Sequence, residues 1–129
     1  MSDKNSLKSG GKSLPGFLTF ETMTKRADFL RAARGKRVHS KSFVLQCYAR
    51  HDEAPGRVGF TCSKKVGNAV ARNRAKRRLR EVARLGLPSL GKSGYDYVLI
   101  GRANLTASTE FTEMQREFET ALKTLHPGK

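Results

Sequence analysis

Residues 64–84 read KKVGNAVARNRAKRRLREVAR, and they carry nine lysines and arginines against a single acidic residue, Glu81. Ala71, Ala75, Leu79, Val82 and Ala83 recur within the run at helical spacing. The segment therefore predicts one amphipathic helix, anchored to a core by that stripe. Asn68 is placed to cap a start near Ala69, and Gly86 with Pro88 predicts the stop, which gives about 17 residues. Arg72, Arg74, Lys76, Arg77, Arg78, Arg80 and Arg84 take the remaining arc. Like charges three and four apart cost an isolated helix a few tenths of a kcal/mol per pair. A solvated face would be expected to intersperse glutamates; nine cations against one anion point to a polyanion.

The flanking sequence supplies a scaffold for this helix. On the N-terminal side, Thr24 predicts a cap for a short helix over KRADFLRAAR, which Gly35 would close in a left-handed conformation. From Val38 the period changes to two, and SFVLQCYAR and RVGFTCS, separated by HDEAPG, predict a β-hairpin. On the C-terminal side, YDYVLIG is a near-continuous apolar run that predicts a central strand, reached from the basic helix by a strand-helix-strand crossover. Phe111, Met114, Phe118, Ala121, Leu122 and Leu125 then predict a second amphipathic helix, with Glu110 and Glu113 at its positive end. The order predicts an α+β class, a two-layer α-β sandwich on a mainly antiparallel sheet.

Length and composition bound the function. A chain of 129 residues with 37% hydrophobic content holds one domain with a real core. Residues 1–19, rich in Ser, Gly and Lys, predict a flexible basic tail; residues 20–126 form the domain and 127–129 a short C-terminal tail. No membrane-spanning run or secretory signal is visible, and two cysteines suit the cytoplasm better than a disulfide framework. The formal charge of +15 is polarised: residues 24–63 carry nine cations and three anions, whereas residues 85–129 carry five of each. Such a surface suits a nucleic acid approached from one side.

Arginine forks grip two phosphate oxygens or stack on an exposed base. Asn73, between Arg72 and Arg74, can donate and accept together, and so can hold those forks or read a base edge or a 2′-hydroxyl. Lys64 and Lys65 reinforce anion binding near a helix N-terminus. A protein-only nuclease or metalloenzyme would need clustered carboxylates or His/Cys ligands, whereas His39, His51 and His126 are scattered. Cys47 and Cys62, which can approach across the hairpin, read as two buried thiols before a zinc or redox site. A membrane-surface helix would want Trp, Phe or Leu where this stripe has alanine. Charge alone leaves a ribosomal or other structural RNA binder open.

The run FTCSKKVGNAVARNRAKRRLRE, centred on Arg72-Asn73-Arg74, resembles the signature of the bacterial ribonuclease P protein subunit. Likeness extends over about residues 20–125, through RADFL, FVLQ and DYVLIGR. The resemblance implies an α-β sandwich with a left-handed strand-helix-strand crossover, against the usual right-handed rule. It implies a partner, the ribonuclease P catalytic RNA, which removes the 5′ leader of precursor tRNA with magnesium ions; one protein joins each RNA, and the chemistry is the RNA's. By the same resemblance Lys64, Lys65, Asn68, Arg72, Asn73, Arg74, Lys76, Arg77 and Arg80 contact or position that RNA. A second implied surface, a leader cleft between the first helix and the sheet, takes Phe29, Val44, Gln46 and Tyr48. Ala33 and Gln46 stand where many members of that family have further aromatics, which shifts leader binding from stacking toward backbone and charge contacts.

Overall fold

A computed structural model describes residues 20–126; the tails expected at 1–19 and 127–129 lie outside the described residues. The elements are β1 (Phe20–Thr22), α1 (Arg26–Ala32), β2 (Lys36–His39), β3 (Phe43–Ala49), β4 (Gly56–Thr61), α2 (Ala69–Leu90), β5 (Tyr95–Gly101), α3 (Leu105–Ser108) and α4 (Phe111–Leu125). The class is α+β as expected, but the five-stranded sheet, ordered β1-β4-β5-β3-β2, is mixed and not mainly antiparallel. β4 runs parallel to both β1 and β5, while β3 is antiparallel to both β5 and β2.

This order corrects the hairpin. β5 inserts between β3 and β4, so HDEAPG links strands that never pair with each other. Parallel β4 and β5 flank α2 in the expected crossover, and β5 lies at the centre of the sheet. Along β3 the side chains alternate. Phe43, Leu45 and Cys47 join Tyr97, Leu99, Leu79, Val82, Met114 and Phe118 in the main core beneath α2 and α4. The opposite face is covered only in part, by α1, with Met23, Ala32 and Val98 buried there and Phe29, Tyr48 and Ile100 packed against them.

Three helix boundaries differ from expectation for identifiable reasons. Thr24 does not cap α1; Lys25 holds the cap position without a side-chain hydrogen bond. Gly35 is not left-handed; a Cβ there would strike the Cys47 carbonyl oxygen, and glycine is what lets the chain turn closely onto β3. α2 continues through Gly86 and Pro88 to Leu90, 22 residues in all. Pro88 forfeits one bond, to the carbonyl four residues back, while Gly86 is buried where a Cβ would meet the Phe118 ring. Close packing on α4 thus continues the helix past its sequence stop.

The cysteines do not meet. Cys47 pairs in register with Tyr97, whereas the Cys62 thiol lies by Gly101, four residues along β5 and so roughly 13 Å away. Both are free thiols, Cys47 buried and Cys62 half-buried. Burial pushes the Cys47 thiol up to about 12, with Lys36 opposing, so it stays protonated and inert.

Candidate nucleic-acid interface

The basic segment is built outward from the end of β4. Ser63 Oγ accepts the Lys65 N–H at 3.2 Å and starts a single 3-10 turn over Lys64–Val66. Gly67 then takes φ +143°, a region hostile to a side chain, and a Cβ there would also crowd Ala71. Asn68 caps α2 as expected, its Oδ1 accepting the Ala71 N–H at 2.9 Å. That bond commits the oxygen and leaves the Asn68 amide N–H groups for another acceptor. Lys64 and Lys65 are exposed beside this helix N-terminus, where partial positive charge and ammonium groups act together on an anion.

Along α2, Ala75, Leu79, Val82 and Ala83 are buried as predicted, joined by Gly86 and Leu87; Ala71 is half-buried. Two cations of the arc turn out to serve the fold. Arg78 donates to the Thr109 carbonyl and lies 3.2 Å from the Met114 sulfur, tying α2 to the start of α4. Arg84 pairs with Glu81, whose carboxyl it holds below the usual range. That removes the only carboxylate of the segment from competition. Among the described residues Lys64, Lys65, Arg72, Arg74, Lys76 and Arg77 have no carboxylate partner within 4 Å. Asn73, Arg74 and Arg77 are exposed, Arg72 and Lys76 half-buried. Arg80, also exposed, places its guanidinium 5.5 Å from the Phe60 ring centre, a cation-π contact.

On the opposite face of the sheet, strand register arranges the cleft residues in rows. One row runs Arg37, Gln46, Val98, Gly59 across β2, β3, β5 and β4; its neighbour runs His39, Val44, Ile100, Thr61. Val44, Gln46 and Tyr48 share this face as expected. Phe29 comes down on Gly59, where a Cβ would collide with the ring tip, and packs in one cluster with Tyr48 and Ile100. The residues differ in access: Gln46 is only 6% exposed, while Val44, Tyr48 and Phe29 are half-buried. Thr61, at the end of the second row, lies two residues before the Ser63 turn. The strip beside α1 therefore runs toward the basic turn of α2.

A charged cluster at the other end of α1 was not foreseen. Asp96 is fully buried; its carboxylate accepts from Arg57 through two bonds of 2.9 Å and from Arg50 at 2.5 Å, with Arg31 at 3.5 Å. Arg57 also reaches Asp28 at 3.0 Å, and Arg50 reaches Asp52 and the Ala54 and Pro55 carbonyls. Hydrogen bonding to Asp96, against the cost of burial, keeps the Arg57 guanidinium firmly charged. Asp28, Arg31, Arg50, Asp52 and Arg57 line a pocket of about 410 Å³ with Glu21, Lys25 and Tyr48, and Arg31 lies 5.2 Å above the Tyr48 ring. Arg50 and Arg57 donate to the three aspartates and to backbone carbonyls, and Arg31 to Asp28, so the cluster is a clamp that fixes α1 and the 50–57 loop to the sheet. Asp96 sits in an apolar run and its partners lie 39 and 46 residues away; the sequence signal was only a carboxylate at an inward position.

The sequence profile of the Ribonuclease P family matches residues 17–126. The chain belongs to the ribonuclease P protein family. The ribonuclease P protein component of Ruegeria pomeroyi is 58% identical over 109 residues, covering 83% of this chain and 87% of that one. That of Caulobacter vibrioides is 46% identical over 112 residues, covering 86% and 74%. Among solved structures, the ribonuclease P protein of Staphylococcus aureus superposes with TM-score 0.66 at 30% identity, over 81% of this chain and 94% of that one. The Thermotoga maritima protein gives 0.64 at 26%, over 77% and 91%. As a ribonuclease P protein, this chain is a component of ribonuclease P, which acts with an RNA subunit.

Proposed function

We propose that this chain binds the catalytic RNA of ribonuclease P through the 64–80 surface and the single-stranded 5′ leader of precursor tRNA along the strip beside α1. The observation that carries the reading is the set of exposed Lys64, Lys65, Arg74 and Arg77 with half-buried Arg72 and Lys76, all without carboxylate partners among the described residues, on and just before a helix anchored by its other side. Phosphates satisfy such a face by charge and counterion release. Asn68 and Asn73 add donors that can reach a base edge or 2′-hydroxyl. Arg80, held against Phe60, presents its fork at the far end.

Leader cleavage belongs to the RNA and its magnesium ions. Among the described residues no group of three or more His, Cys, Asp or Glu is placed to hold a metal ion, and Asp28, Asp52 and Asp96 are engaged by arginines. The part we assign to the chain is binding and orientation, with one protein per RNA. No described helix is long and apolar enough to cross a membrane; in this reading the chain works on precursor tRNA in the cytoplasm.

Reconstitution tests this division. With ribonuclease P RNA, the chain should lower the magnesium needed for leader removal and tighten precursor tRNA over mature tRNA. Rigorously RNA-free protein should not cleave. Leader cleavage by that protein above a contaminant control would overturn the assignment of chemistry to the RNA.

A further inference from the structure

The leader strip has a cationic outer edge that the aromatic positions do not account for. We propose that Arg37, on edge strand β2, grips a backbone phosphate of the leader where the strand leaves the strip; this rests on the leader reading above. Register pairs Arg37 with Gln46, which puts its side chain on the α1 face. Its Nη2 donates to the Ala33 carbonyl at 3.5 Å, so the guanidinium bridges β2 and the end of α1. Arg37 is exposed, and among the described residues it has no carboxylate within 4 Å. Ala33 takes one Nη2 N–H; the other, side by side with an N–H of Nη1 or of Nε, remains as a two-pronged donor, the arrangement that matches two phosphate oxygens.

The floor beside it explains why charge matters here. Ala33 offers a methyl group and Gln46 is 6% exposed, so neither gives a base a platform. A strand crossing this point is held through its backbone. From Thr61 on β4 to Arg37 on β2 is three strand spacings across the sheet and one row along it, roughly 16 Å. A leader that starts near the basic turn reaches Arg37 only after crossing that width, so the contact should depend on leader length.

The test uses the full chain reconstituted with ribonuclease P RNA. Affinities are measured for long-leader precursor, one-nucleotide-leader precursor and mature tRNA across a salt series. Arg37→Ala is expected to lose about five- to tenfold in long-leader affinity, with a salt slope shallower by about 0.7, and to leave the other two substrates unchanged. Arg37→Lys should recover most of the loss. Thermal unfolding should be unmoved, because Arg37 lies outside the core. Full long-leader preference in Arg37→Ala, or equal losses on all three substrates, overturns the proposal. Val44→Asp, which places a carboxylate on the strip's floor, separates the two levels. If it abolishes the preference while Arg37→Ala does not, the strip stands and the Arg37 contact falls; if neither variant matters, the leader reading falls as well.

Discussion

Replacing Asp96 by Asn tests whether the buried ion cluster holds the α1 wall of the strip. Asn keeps the shape but removes the charge, and it turns one acceptor into a donor facing guanidinium N–H groups. The oxygen that remains serves only part of the set, so Arg57 loses one of its two 2.9 Å bonds, and Arg50, with a side chain only 8% exposed, loses the charge of its 2.5 Å partner. Breaking a buried pair by removing one partner typically costs about 3–5 kcal/mol. Here Arg50 keeps Asp52 and three loop or strand carbonyls, Arg57 keeps Asp28 and is 24% exposed, so the low end, about 3 kcal/mol, is expected. At about 4–8 °C per kcal/mol for a domain of this size, Tm should fall by more than 10 °C. Urea unfolding at pH 7, by circular dichroism, gives the midpoint and slope. A loss below about 1 kcal/mol with an unchanged slope would refute the clamp, since it would mean that solvent and the remaining partners fully replace Asp96.

Acid should loosen the C-terminal end of α4. Tyr97 Oη accepts the Lys92 N–H at 2.9 Å and lies 2.7 Å from His126 Nε2, so all three groups are satisfied when the tyrosine donates to a neutral imidazole. Burial, then Lys92 and Lys36, lowers the His126 pKa; a depressed folded value means stability present above the unfolded pKa of about 6.5 and lost as pH falls. The stability gap between wild type and His126→Gln should therefore narrow from pH 7.5 to 5.5, and a constant gap would contradict the linkage. Phe29→Leu retains apolar contact on Gly59 but removes the ring, and long-leader preference should drop by about 1–3 kcal/mol if a base stacks there. Unchanged preference in a well-folded Phe29→Leu chain would make Phe29 a packing residue alone.

Local pattern revealed α2, α4 and β5 because each carries a periodic apolar face that one window of sequence contains. Pairing was less legible. β3 and β4 are joined by a turn-rich loop, yet each pairs with β5, about forty residues on from β4 and about fifty from β3, and nothing in HDEAPG encodes that insertion. β1 has three residues and β2 reads KRVH, too short or too charged to register as strands. At the interface, charge density located the bare cations but could not separate them from Arg78 and Arg84, whose partners are set by tertiary contact and by one neighbouring glutamate. Alternation placed Val44, Gln46 and Tyr48 on one face, while Phe29 and the cleft itself came from the resemblance. How far each is open, and that Arg37 stands beside them, depends on where α1 crosses the sheet.

The salt dependence of binding to ribonuclease P RNA tests the role of α2 most directly. Wild-type chain and the combined Arg72→Ala, Arg74→Ala, Arg77→Ala variant would be titrated with that RNA across a salt series, with circular dichroism confirming the fold. All three arginines lie off the buried stripe, and alanine favours helix. Binding should weaken, and the log-log slope should fall by up to about 0.7–0.9 for each phosphate that is no longer neutralised. Unchanged affinity with an unchanged slope would make the basic face of α2 a solvated surface and contradict its assignment as the RNA-binding site.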